Sequence, residues 1–179
     1  MIIKTTRFAQ VNIESKDVLN FPEGLLGFSD LKNFILLEDP NDEIFAWLQS
    51  CDEPAIAFPV LEPELFKADY HALPSRSDFT AIDFQSGDIL RAFCIVTIPD
   101  DPTLMTANMK APVVVNLRNR QARQCVLQDN SLAIREPIFQ SLQAKVVSDQ
   151  WTRKSTSQPS SDLFVTLPSD NDLQKSAQL

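Results

Sequence analysis

Apolar residues in this chain come in short runs, and proline or an acidic pair closes nearly every one. Phe34-Ile35-Leu36-Leu37 stops at Asp39-Pro40, residues 55–61 stop at Glu62-Pro63, and residues 89–98 stop at Pro99-Asp100-Asp101-Pro102. Proline lacks an amide hydrogen and fixes φ, so each of these points ends a hydrogen-bonded ladder. Twelve prolines against three glycines suit many short strands with proline-ended connections. The expectation is an all-β fold with minor short helices. It would be a small closed or nearly closed antiparallel β-barrel-like domain that hides its strand edges.

The individual elements follow from hydrophobic period. Ile2, Ile3, Phe8, Val11 and Ile13 alternate loosely with polar residues, which predicts an opening hairpin. Ser29 is expected to cap a short helical turn, and residues 34–37, 45–50 and 55–61 to form strands. Pro63 sits near the start of a predicted single helical turn. Residues 67–88 lack a pattern and read as loop. Residues 89–98 predict the most buried strand. Val113, Val115 and Leu117 lead through a turn near Asn119-Arg120 into residues 122–127, a hairpin of period two. Ile138, Phe139, Leu142 and Val146 have the spacing of one short helix.

Beyond residue 148 Ser, Thr, Gln, Asp and Pro dominate. The expected organisation is a folded domain over residues 1–147 and a polar, disordered tail over residues 148–179. Within the tail, Leu163-Phe164-Val165 could dock on something, but a disordered apolar triplet is more often idle. No apolar run approaches the ~18 residues that cross a bilayer, and residues 1–10 do not read as a signal peptide. The expected location is the cytoplasm.

The net charge is −8, unevenly spread. Residues 1–102 hold seven Lys/Arg against 18 Asp/Glu, whereas residues 103–179 hold nine against six. An acidic surface repels phosphate backbones and attracts basic proteins, or simply keeps the chain soluble. The one local positive cluster is Arg118, Arg120 and Arg123 with Lys110 nearby. It reads as an ordinary charged hairpin or as a clamp on acidic groups. An RNA contact would lack aromatic residues on which bases could stack.

Catalytic patterns are missing from the sequence. His71 is the single histidine, and there is no H-E-x-x-H, phosphate loop or EF-hand loop. The paired carboxylates Glu38-Asp39, Asp42-Glu43, Asp52-Glu53 and Asp100-Asp101 fall in predicted turns, where solvent keeps a carboxylate from the shifted pKa that acid–base work needs. Cys51, Cys94 and Cys125 are odd in number and widely spaced, so they are read as small buried hydrophobes rather than a disulfide set or zinc ligands. No cofactor or metal is expected, and no enzymatic activity.

Several stretches, taken in order, resemble the FliW family of flagellar assembly factors. They are Thr6-Arg7-Phe8, Phe21-Pro22-Glu23-Gly24-Leu25-Leu26-Gly27-Phe28, Phe45-Ala46-Trp47-Leu48-Gln49-Ser50, Ala57-Phe58-Pro59-Val60, Ile95-Val96-Thr97-Ile98-Pro99, residues 105–116 and Gln124-Cys125-Val126-Leu127. The resemblance covers roughly residues 1–140. Ala9 replaces a frequent glycine, Leu132 a frequent tyrosine, and Glu136 a usual histidine, so the first turn is expected to be shaped differently. The resemblance implies a protein without enzymatic activity that binds flagellin through flagellin's C-terminal region. When released, it binds and antagonises CsrA, a small basic translational repressor. No direct nucleic-acid or membrane contact is implied. Asp100, Asp101, Met105, Asn108 and Asn116 lie in the most family-like segment and are the candidate partner-binding residues. Phe21, Gly24, Gly27, Phe28 and Trp47 are as readily explained by the fold. A flagellin secretion chaperone without CsrA control and a small-ligand-binding β-barrel remain the alternatives.

Overall fold

A computed structural model describes residues 1–42, 44–149 and 162–168. β1 (Ile2–Thr5) and β2 (Ala9–Asn12) form the opening hairpin. Ile3, Val11 and Ile13 turn inward while Lys4, Gln10 and Asn12 face solvent, as alternation requires of a half-buried pair. The remaining strands are β3 (Leu19–Asn20), β4 (Asn33–Glu38), β5 (Ala46–Ser50), β6 (Ala57–Leu61), β7 (Leu90–Thr97), β8 (Thr106–Ala107), β9 (Val113–Asn116), β10 (Ala122–Gln124), β11 (Glu136–Pro137) and β12 (Phe164–Thr166). Two helices interrupt them, α1 (Arg76–Ala81) and α2 (Phe139–Asp149). The predicted strands over 34–37, 45–50, 55–61 and 89–98, the hairpin after residue 112, the turn at Pro63 and the helix after Ile138 all form.

The main sheet runs β10-β9-β7-β6-β5-β4-β12, with β3, β8 and β11 as side branches. Every ladder is antiparallel except that of β12 with β4. The all-β class with minor helices therefore holds, but among the described residues no ladder closes the sheet. Its β3 and β10 sides meet only through a single bridge between Asn20 and Gln121, where the Asn20 amide donates to the Arg120 carbonyl at 2.9 Å. Long β7 is shared between two partners on one side. It pairs with β9 along Leu90, Arg91, Ala92 and Phe93, then leaves that partner and pairs with β8 at Val96 and Thr97.

Three apolar clusters hold the layers together. β4 feeds two of them, because Phe34 and Leu36 face one side and Ile35 and Leu37 the other. All four are at most 1% exposed. Each such side chain contributes about 1.5–3 kcal/mol relative to exposure. The third cluster joins Cys94, Val96, Met105, Met109 and Cys125 to Ile138 and Leu142 at the start of α2.

Four expectations are corrected. Residues 67–88 are not all loop, since α1 forms behind a capping box in which the Asp78 amide donates to Ser75 Oγ and the Ser75 amide to Asp78 Oδ2. Ser29 lies in a tight turn rather than a helical one. The triplet at 163–165 is not idle. Leu163 and Leu167 are buried, and Phe164 and Val165 pair with Leu36 and Leu37. The expected tail also begins too early, since Ser148 and Asp149 belong to α2; residues 150–161 and 169–179 lie outside the described residues.

Candidate partner-binding surface

The segment after β7 carries four of the five candidate residues, and the structure sorts all five into two groups. Asp100 and Asp101 are exposed. Asp101 accepts from the Thr103 amide at 3.0 Å and the Thr103 hydroxyl at 2.6 Å, and these bonds hold its carboxyl below the usual carboxylate range. The 3₁₀ turn it caps, Pro102–Leu104, presents Leu104 at 66% exposure beside the half-exposed Ile98. Asn108 is half-buried, and its Oδ1 accepts from the Ala111 amide at 3.0 Å, shaping the loop into β9.

Met105 and Asn116 face inward. Met105 sits in the core, and its carbonyl accepts from the Ile138 amide at 3.3 Å. Asn116 is 0% exposed. Its Nδ2 donates to the Ile82 carbonyl at 3.2 Å and to Asp88 Oδ2 at 2.8 Å, while its Oδ1 accepts from the Arg118 amide at 3.0 Å. Every hydrogen-bonding group of that amide save one lone pair is used within the chain. The residues brought together on the outside are Ile98, Asp100, Asp101 and Leu104. β4 and β6 begin, and β5 and β7 end, at this edge of the sheet, so exposed Asp30, Asp52 and Glu53 share it. Asp52 is pinned. Burial pushes its carboxyl up, but bonds from Asn33 and Lys32 outweigh that and leave it lowered.

Two of the four members of the positive cluster, Arg118 and Arg123, are ion-paired within the chain. Arg118 pairs with Asp83 at 3.0 Å and Asp88 at 2.8 Å. Arg123 pairs with Glu23 and, at 2.7 Å, with Asp78. Arg120 donates to the Asp162 carbonyl, and Lys110 to that of Asp129. A clamp on an acidic partner would have to break these pairs. The pairing partners lie 30 to 45 residues from their arginines where Asp88, Asp83 and Asp78 are concerned, which is why a local reading of charge missed them.

The Arg123 network lines a half-open cleft of about 410 Å³ between the Glu23–Gly27 turn, the start of α1, Gln124 at the end of β10 and Val126 just after it. Gly24 makes this turn possible. Its φ is +71°, and a Cβ would lie 2.5 Å from the Phe28 carbonyl oxygen. The aromatic motif residues serve the fold, since Phe21 meets Phe34 edge-on at 4.9 Å, Phe28 meets Phe58 at 5.2 Å, and Trp47 meets Phe8 at 5.7 Å. The Arg7 guanidinium covers Trp47 at 3.7 Å. The signal for the cleft was Ser75-x-x-Asp78, a capping box that sequence reading passed over.

His71 is exposed, and among the described residues no group of three His, Cys, Asp or Glu side chains is placed to hold a metal. Burial raises the Cys51 thiol to about 11 and the Cys94 and Cys125 thiols to about 12, too high for nucleophilic work at neutral pH. An interior cavity beside Phe93 and Phe164 measures about 10 Å³, room for one water at most. Among the described residues no helix is long and apolar enough to cross a membrane.

Residues 2–138 match the family described as FliW protein. The chain belongs to the FliW family. It is 66% identical over 149 residues to the flagellar assembly factor FliW of Bdellovibrio bacteriovorus, covering 83% of this chain and 85% of that protein. Identity to the FliW of Ruminiclostridium cellulolyticum is 36% over 148 residues, covering 82% of this chain and all of that protein. A crystal structure of a flagellar assembly factor FliW superposes with a TM-score of 0.72 at 27% identity, over 78% of this chain and 97% of that one. The FliW match spans β1 to β11, so both the acidic edge and the cleft lie within it. One departure from the family pattern is now explained in part. Ala9 takes φ +56°, the left-handed conformation in which glycine carries no steric penalty.

Proposed function

We propose that this chain is a non-enzymatic, cytoplasmic flagellar assembly factor that switches between two protein partners. It binds the C-terminal region of flagellin. Once flagellin is exported, it binds CsrA and relieves repression of flagellin synthesis. The observation that carries this reading is the FliW match across residues 2–138. The acidic edge supports the second half of it. A rim built of Asp30, Glu53, Asp100 and Asp101 attracts a basic regulator and speeds encounter. Held beside CsrA, the same charge opposes RNA phosphates without occupying the RNA site. That is a coupling free energy of ~1–3 kcal/mol, about 5–150-fold in affinity, and linkage makes it reciprocal. Asp100 and Asp101 are the direct contacts in this scheme. Asn108 and Met105 support the segment from within, and Asn116 holds the opposite end of β9.

The test is titration of purified CsrA at several salt concentrations against the chain and against its Asp30→Asn/Glu53→Gln/Asp100→Asn/Asp101→Asn variant. Weaker binding and a shallower salt dependence in the variant are expected. Unchanged affinity and slope would refute the electrostatic account. Absence of any CsrA complex at micromolar concentration, with flagellin still bound, would leave a secretion chaperone in its place.

A further inference from the structure

β4 is paired on both sides, but part of one side is covered by a strand from outside the family match. Its Asn-Phe-Ile-Leu-Leu-Glu sequence buries both faces, yet the FliW match that contains it ends at residue 138. On one side β4 pairs with β5 along its length. On the other, β3 covers only Asn33 and Phe34, and residues 36–38 are covered by β12. That covering strand lies outside the FliW match. It is three residues long, and it forms the one parallel ladder among the described strands, a pairing slightly weaker per residue than the antiparallel kind. A domain ending near residue 138 would leave three residues of a strongly apolar strand with unpaired amides and carbonyls, an arrangement that natural edges avoid.

We propose that residues 36–38 of β4 form a strand-acceptor site for an extended, uncharged segment of a partner protein, and that β12 is its displaceable occupant from within the chain. The seated segment shows what chemistry fits. Main-chain bonds run along Phe164, Val165 and Thr166, and the Leu167 amide donates to the Glu38 carbonyl at 2.9 Å. Leu163 and Phe164 enter the cluster of Phe34, Leu36 and Phe93, with the Phe164 ring 6.0 Å from that of Phe93. Val165 and Leu167 enter the opposite cluster with Ile35, Leu37 and Trp47. Backbone pairing supplies affinity and the pockets on the two faces supply selectivity, as in strand addition generally. The partner segment is therefore apolar at four of five consecutive positions, on both faces. β12 belongs to the same chain as β4, so it competes at an effective concentration on the order of millimolar, which sets the threshold an incoming strand must exceed. The inference stands whichever flagellar partner the acidic edge binds.

The probe is a fluorescent peptide of residues 160–169 of this chain, followed by anisotropy against the unaltered chain and its Phe164→Asp/Leu167→Asp variant. The variant should bind at least ~10-fold more tightly, because its own strand no longer competes, and a peptide carrying both substitutions should bind neither protein. Equal binding to both chains, or binding to neither, overturns the proposal. Hydrogen exchange on the unaltered chain gives a second test that does not depend on the variant folding. Amides of residues 164–167 should exchange at least ~10-fold faster than those of β5 if β12 opens separately. Protection equal to that of β5 makes β12 an integral strand and overturns the proposal as well.

Discussion

Replacing Asn116 with alanine separates a structural role from a partner contact. The side chain is 0% exposed and makes three hydrogen bonds. They are not equally costly to lose. The Ile82 carbonyl keeps a donor, because Asn119 Nδ2 reaches it at 3.0 Å, and Asp88 keeps Arg118 and the Gln85 amide. Among the described residues the Arg118 amide donates to Asn116 Oδ1 and to no second acceptor, so it bears the penalty of a donor left without a partner. At about 1 kcal/mol per lost bond and about 1–3 kcal/mol for an unsatisfied donor, the substitution should cost about 2–4 kcal/mol. For a chain of this size that lowers Tm by roughly 4–16 °C. Urea unfolding followed by tryptophan fluorescence and by circular dichroism would measure it. A loss below about 1 kcal/mol accompanied by loss of flagellin or CsrA binding would refute the structural reading and return Asn116 to the interface.

Other substitutions give sharper local tests. Ala9→Gly should stabilise by about 1 kcal/mol, since glycine removes the strain of a left-handed φ at a modest entropic cost; an unchanged or lower urea midpoint would contradict it. Gly24→Ala should destabilise by more than about 2 kcal/mol, because strain at positive φ adds to a clash with the Phe28 carbonyl, and calorimetry would register it. Stability should also fall in acid. Burial pushes the Asp78 carboxyl up, but Ser75 and Arg123 outweigh burial and leave it depressed. A depressed folded pKa contributes stability that is complete well above the unfolded value of about 3.9 and is lost as pH falls through the folded one. Urea midpoints should thus be flat from about pH 7 to 5 and drop below about 4, with a shallower drop in Asp78→Asn. Finally, iodoacetamide at pH 8 should leave Cys94 and Cys125 unmodified in the native chain and alkylate both on unfolding, as read by mass spectrometry, because burial raises both thiols to about 12.

What the sequence determined by itself was the longer strands, not the two- and three-residue ones at β3, β8, β11 and β12. Side-chain alternation and proline stops act within a few residues, so residues 34–37, 55–61, 89–98 and the hairpin after Val113 could be read one at a time. The motif from Phe21 to Phe28 was legible for the same reason, as a turn that only Gly24 permits. Tertiary structure decided which charges are free and which edges are covered. Arg118 and Arg123 look like a basic patch until Asp78, Asp83 and Asp88 arrive from far along the chain. Asn116 looks available until Ile82 and Asp88 enclose it. Leu163, Phe164 and Val165 look idle because a three-residue strand has no periodicity to display, and its partner lies more than a hundred residues earlier. Pairings of that kind depend on where distant backbone and side chains meet in space, and no local pattern encodes them.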